Sequence, residues 1–205
     1  MLTRLKQKVQ QMLVTEARAA HRIGLTPNLI SGIGVALAFV SALAYAECAR
    51  AQNRPFLYIL FAIIMLLLSG FCDVLDGILA RLYQQVTAFG GFLDSLLDRY
   101  ADAFIYAGII IGGLCNTLWG LVALTGSLLV SYSRARAEAA GMKMESVGLA
   151  ERAERMLILI IASLVALFWQ PKTAIGIGII LLAILSNLTV AQRALYAYRK
   201  LKTRN

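Results

Sequence analysis

Long apolar runs alternate with short polar and basic segments along the whole chain. The runs cover about residues 28–47, 55–83, 89–114, 117–140, 152–169 and 173 to beyond Arg193. A helix needs about 20 apolar residues to cross a bilayer, so the pattern predicts six transmembrane helices. All three prolines, Pro27, Pro55 and Pro171, stand at predicted helix entrances, where a missing amide hydrogen costs nothing. Thr26 is the expected N-cap of the first span. Ahead of it, Leu2, Leu5, Val9, Met12 and Leu13 recur at helical spacing, with Arg4, Lys6 and Lys8 between them. That pattern suits a helix lying in the membrane interface, and Gly24 ends it. The region lacks the apolar core of a cleavable signal peptide. The expected fold class is all-α integral membrane. Residues 1–205 form one membrane domain, with an amphipathic interfacial helix at 1–23 and a six-helix bundle over 26–200.

Composition supports this class. The chain is 60% hydrophobic and 15% charged, with mean hydropathy +0.73. Cys48, Cys72 and Cys115 sit in or beside apolar runs without metal-type spacing and read as small buried hydrophobes. The net charge of +9 does not imply nucleic acid, because no basic run is interleaved with stacking aromatics. Of the 20 Lys and Arg, all but Arg50, Arg54 and Lys172 fall on the side that holds both termini and the segments after spans two and four. The positive-inside rule makes that side cytoplasmic. A multi-pass cell-membrane protein with both termini in the cytoplasm is therefore expected. Gly108 with Gly112, and Gly32, Gly34 and Ala36, are small residues that let helices approach closely. Packing within one bundle is the preferred reading of them over a dimer seam.

The charges that composition does not explain are acidic. All five aspartates lie between Asp73 and Asp102, inside the apolar half of the chain. Asp73 with Asp76, and Asp94 with Asp98, are spaced by three and four, which places each pair on one helix face. Carboxylates at membrane depth are costly and are usually functional, paired or metal-bound. Two facing helices would bring the four to one point near the cytoplasmic turn between spans two and three. Oxygen-only ligands point to Mg²⁺ or Mn²⁺ rather than zinc. Four carboxylates fit two ions better than one, the arrangement that serves in-line phosphoryl displacement. Gly77, Ala80 and Gly90 leave room for a substrate to reach the backbone, and Arg81 adds a cation suited to phosphate. The single histidine, His21, reads as an interfacial residue. An acid-lined cation carrier is the reading from a different functional class.

With its gaps the stretch is D-x2-D-G-x2-A-R-x8-G-x3-D-x3-D, from Asp73 through Asp76, Gly77, Ala80, Arg81, Gly90 and Asp94 to Asp98. Eight fixed positions across 26 residues form a strong motif. It resembles the signature of the CDP-alcohol phosphotransferase family at every fixed position. The resemblance implies six transmembrane helices behind an interfacial helix, a homodimer, and a cytoplasm-facing site with two metal ions. It implies transfer of a phosphatidyl-type group from a CDP-lipid to an alcohol, with release of CMP. Asp73, Asp76, Asp94 and Asp98 match metal ligands, and Asp98 also matches the catalytic base. Asn28, Leu29, Ile30, Ser31, Asp76, Gly77, Ala80, Arg81, Thr87 and Gly90 match or adjoin positions that contact the CDP-lipid.

The second half of the chain bears on the acceptor. SYSRARAEAAG, GLAERAERM and the VAQR around Arg193 resemble the branch of the family that uses inositol phosphate. In that branch the positions of Arg134, Arg155 and Arg193 hold the acceptor's phosphate. Bacterial members often carry Lys and Pro where this chain has Arg134 and Ala153, so an archaeal-type ether-lipid donor fits at least as well. Arg136 and Lys143 read as topology charge. Glycerol 3-phosphate and serine are the alternative acceptors, although serine has no phosphate to engage three arginines.

Overall fold

The computed structural model describes residues 13–48, 55–142, 144 and 147–202. Leu2, Leu5, Val9 and Met12 of the leader, the loop cations Arg50 and Arg54, and Lys143 lie outside them. The described residues form seven helices and no strand: α1 (Val14–Arg22), α2 (Pro27–Cys48), α3 (Pro55–Leu82), α4 (Ala88–Ile111), α5 (Thr117–Ala139), α6 (Arg152–Ala166) and α7 (Pro171–Lys202). Among them α2, α3 and α7 are long and apolar enough to cross a membrane by length and composition alone. Helix α4 carries four of the aspartate and arginine side chains of the site, and α6 is only 15 residues long. The protein is a multi-pass membrane protein.

Many small residues are gathered inside beside a core of Tyr45, Ile59, Leu66 and Ile109, and many large apolar ones face outward. Ala38, Ala62, Ala123, Ala174 and Ala183 are buried, whereas Phe39, Phe61, Phe92, Ile177 and Leu188 are exposed along the helices. In hydrocarbon no hydrophobic force drives helices together, so close backbone packing and interhelical hydrogen bonds do so. Ser41 Oγ donates to the Ala62 carbonyl at 2.8 Å, and the Tyr45 and Ser163 hydroxyls meet at 2.7 Å. Helix α2 packs on α3 and α4, while α7 packs on α5 and α6. These two groups join through α4 on α5 and α3 on α6, and the site lies along that junction.

The Gly108–Gly112 pair packs within the bundle. A Cβ on Gly108 would stand 2.2 Å from the Ala42 carbonyl oxygen, and one on Gly112 would stand 2.1 Å from that of Tyr45. Gly34 meets Cys72 across α2 and α3, whereas Gly32 faces open space. Helix α1 lies on α3, and His21 stacks on Tyr83 with ring centroids 3.6 Å apart.

Helix ends fall close to expectation, except that the fifth predicted span ends at Ala166, before Trp169, and the third also ends early. The third predicted span stops at Ile111, before Leu114. Gly113 takes φ +62° there, and the Gly113 and Leu114 amides donate back to Ile110 and Ile109. This Schellman closure needs a left-handed residue, which glycine adopts without a steric penalty. The same closure ends α3 on Gln84, a non-glycine residue at φ 55°. Gln85 N–H donates to the Ala80 carbonyl at 2.8 Å, which turns the chain back toward α4.

Candidate active site

Helices α3 and α4 supply the carboxylates, as their spacing predicts. Asp73, Asp94 and Asp98 each present an oxygen, and the three atoms lie within 4.8 Å of one another. Asp76 lines the same small cavity but is not part of that triad. It is buried and accepts a short hydrogen bond from Ser31 Oγ on α2. An all-oxygen, partly buried triad fits a hard divalent cation, and the cluster already attracts a cationic group. Arg152 Nη1, at the start of α6, stands 2.5 Å from Asp73 Oδ1 and 2.6 Å from Asp98 Oδ1.

A larger cavity of about 360 Å³ opens on one side of the cluster and shares Ser31, Asp76 and Asp94 with it. Its lining includes Asn28, Gly77, Ala80, Arg81, Thr87 and Gly90, so the motif positions other than Asp73 and Asp98 share one wall. Thr87 is the N-cap of α4 and accepts from the Gly90 amide at 2.9 Å. A Cβ on Gly90 would meet Thr87 Oγ1 at 2.9 Å and Asn28 Oδ1 at 3.3 Å, and one on Gly77 would meet the Arg81 guanidinium at 3.3 Å. Gly90 therefore lets α2, the turn and α4 close around the cavity, and Gly77 leaves room for the Arg81 guanidinium. Leu29 and Ile30 are not brought to it. Leu29 is exposed, and Ile30 is buried against Leu75, Ile78 and Leu79, because helical geometry turns positions 29 and 30 away from the face shared by 28 and 31.

A third cavity, of about 140 Å³, lies on the other side and shares Asp98 and Arg152 with the cluster. Arg134, Arg155 and Arg193 converge in its wall from three helices, together with Arg99 and Glu151. The three arginines are held differently. Arg193 is 2% exposed, and its guanidinium donates to the Val147 carbonyl at 2.8 Å and the Val130 carbonyl at 2.5 Å. Arg155 is 4% exposed and pairs with Asp102 Oδ2 at 2.8 Å, while its Nε is buried without a hydrogen-bond partner. Arg134, 44% exposed at the side chain, pairs with Glu138 one turn on at 2.9 Å.

Three further residues contribute that the sequence pattern does not single out. Asp102 continues the four-residue spacing of Asp94 and Asp98 and holds Arg155, with Ser127 Oγ donating to it at 2.9 Å; that spacing was available as a signal. Arg152 lies three residues before Arg155 on the same face, but its carboxylate partners are distant in sequence. Thr189 gave no signal. Its hydroxyl accepts from the Leu149 and Ala150 amides at 3.2 and 3.1 Å, which pins the strand of chain leading into Glu151 and Arg152 onto α7.

A carboxylate cluster inside a helical membrane bundle, between an open cavity and a pocket walled by arginine, defines a class of enzyme. The chain belongs to the CDP-alcohol phosphatidyltransferase family, whose profile matches residues 24–191. Its relatives point to one branch of that family. It is 40% identical over 202 residues to the archaetidylinositol phosphate synthase of Pyrococcus horikoshii, covering 98% of this chain and 99% of the relative. It is 42% identical over 183 residues to the archaetidylinositol phosphate synthase of Methanothermobacter thermautotrophicus, covering 89% and 88%. Among solved structures it resembles Mycobacterium tuberculosis phosphatidylinositol phosphate synthase with CDP-DAG bound, with a TM-score of 0.77 at 27% identity over 92% of this chain and 94% of that one. The same enzyme in complex with manganese and citrate gives a TM-score of 0.76 at 28% identity, over 90% and 88%. The protein is a transferase of phospholipid biosynthesis, and a divalent cation is supported.

Proposed function

We propose that this enzyme transfers a phosphatidyl- or archaetidyl-group from a CDP-lipid to inositol phosphate, releasing CMP. The observation that carries this reading is the order of the three cavities. The carboxylates lie between the cavity of about 360 Å³ and a pocket into which Arg134, Arg155 and Arg193 converge. The relatives at 40% and 42% identity are archaetidylinositol phosphate synthases, which favours an ether-lipid donor.

In this reading the site takes two Mg²⁺ ions, with Mn²⁺ able to replace them, held by Asp73, Asp76, Asp94 and Asp98. The metals supply charge stabilisation at the diphosphate, which the chain cannot provide with carboxylates alone. Asn28, Ser31, Gly77, Ala80, Arg81, Thr87 and Gly90 receive the cytidine diphosphate group, and Arg81 balances its charge. Ile30 packs on Leu75, Ile78 and Leu79 behind that wall, and Leu29 takes no part in it. Arg134, Arg155 and Arg193 hold the acceptor phosphate and so aim its free hydroxyl at the cluster. The hydroxyl oxygen bonds to the lipid-linked phosphorus, Asp98 takes the hydroxyl proton, and the bond from that phosphorus to the CMP oxygen breaks.

Residues 1–205 form one membrane domain in this account. Helices α2 to α7 are six spans, α1 lies in the interface, the site and both termini face the cytoplasm, and two copies associate as a homodimer. The basic residues beside the site support the orientation by the positive-inside rule. The reading is tested by CMP release from one CDP-lipid with a panel of inositol phosphate, inositol, glycerol 3-phosphate and serine. Selective release with inositol phosphate is expected, and equal release with serine would refute it.

A further inference from the structure

Arg152 lies where the cluster and the arginine pocket meet. It lines the carboxylate cavity, the arginine-walled cavity and the small space beneath them. Its Nη1 bridges Asp73 and Asp98, and its Nε stands 3.6 Å from Asp102 Oδ1. The space left at the carboxylates is only about 10 Å³, room for about one water-sized particle. A divalent ion held by Asp73 and Asp98 would compete with the guanidinium for the same oxygens, and like charges a few ångströms apart repel strongly. Loading therefore disfavours Arg152 in this place. Of the two other spaces that Arg152 lines, the one with room for its guanidinium is the cavity of about 140 Å³ lined by Arg134, Arg155 and Arg193, against about 20 Å³ beneath.

We propose that Arg152 is a positioning residue that exchanges between the two sites. It neutralises the carboxylates before metal binds, and metal loading displaces it into the arginine pocket, where it becomes a further contact for the acceptor's phosphate. The acceptor pocket is then completed only when the catalytic metals are in place. Such a coupling keeps the acceptor from occupying a site that cannot yet react. By linkage the effect is reciprocal, so bound phosphate tightens metal binding by the same factor. This rests on the acceptor reading above.

The test uses the full chain in detergent, with Mn²⁺ binding followed by electron paramagnetic resonance and phosphate binding by calorimetry. Without any phosphate, Arg152→Gln should bind Mn²⁺ about tenfold more tightly than wild type, within the usual range for a coupling between sites. Arg152→Lys, which keeps the charge, should stay near wild type. In wild type, Mn²⁺ should strengthen binding of inositol phosphate, and of inorganic phosphate as a simpler probe, by about tenfold. In Arg152→Gln that metal dependence should largely vanish, while CDP-lipid binding, which does not use this pocket, reports that the variant is folded. Unchanged Mn²⁺ affinity in Arg152→Gln would overturn the proposal, as would full metal dependence of phosphate binding in that variant. If wild type bound no phosphate probe at any Mn²⁺ concentration, the acceptor reading would fall instead. The Mn²⁺ titration, which contains no phosphate, tells the two failures apart.

Discussion

Arg134→Gln separates acceptor binding from folding more cleanly than the other pocket arginines. Its side chain is 44% exposed and its ion pair with Glu138 is an i,i+4 contact at 2.9 Å. Exposed helical pairs of that kind contribute only about 0.3–0.5 kcal/mol. A charge-assisted hydrogen bond to a phosphate is worth about 1.5–3 kcal/mol. The exposure of Arg134 favours the low end, which at 1.4 kcal/mol per decade raises the acceptor KM by about tenfold. The apparent Tm should fall by no more than about 2 °C, at 2–4 °C per kcal/mol for this size. Arg155→Gln should raise the acceptor KM as well, but it also leaves Asp102 without its 2.8 Å partner. Breaking a buried pair from one side costs about 3–5 kcal/mol, so the Tm should drop by roughly 6 °C or more. The assay is CMP release with donor and acceptor varied separately, alongside thermal unfolding in detergent. A CDP-lipid KM that rose as much as the acceptor KM in Arg134→Gln would place this arginine in the donor site. No change in either would return it to plain topology charge.

Three further outcomes follow from the same geometry. Asp98→Asn removes the proposed proton acceptor, and turnover should fall at least about 10²-fold while CDP-lipid binding persists; near-normal turnover would remove Asp98 from the base role. Gly77→Leu fills the wall of the 360 Å³ cavity beside Arg81, so CDP-lipid affinity should be lost and Mn²⁺ binding kept; an unchanged donor affinity would refute the backbone-approach argument. Gly108→Leu would force a Cβ to within 2.2 Å of the Ala42 carbonyl, a backbone obstacle that cannot swing aside. Unfolding at markedly lower temperature is expected, and wild-type stability would show that α2 and α4 do not meet there.

Much of this was legible because membrane helices state their length in apolar runs and their entrances in proline. Pro27, Pro55 and Pro171 each begin a helix, and the Asp73 to Asp98 spacing anticipates the meeting of Asp73, Asp94 and Asp98 but not the turn of Asp76 toward Ser31. What one helix face can reveal was therefore readable. Contacts between helices far apart in sequence were not: Arg152 bonds Asp73 across 79 residues, and Arg193 bonds Val130 across 63. Helical spacing already sets Ile30 off the face that Asn28 and Ser31 share, and the structure buries it while those two line the cavity. Thr189 was invisible for a related reason, since a hydroxyl in an apolar helix shows no role until the chain it pins is in place.

The central claim is that the arginine pocket selects a phosphorylated inositol as the group that receives the lipid phosphate. The most direct measurement is mass spectrometry of the lipid formed by detergent-purified enzyme from one CDP-lipid, with inositol phosphate and unphosphorylated inositol supplied together. A divalent cation is present in one arm and chelated in the other. The account predicts an inositol-phosphate lipid formed one-for-one with CMP, only in the metal arm, with little inositol lipid lacking the phosphate. Equal amounts of the two lipids, or CMP released without either, would contradict it.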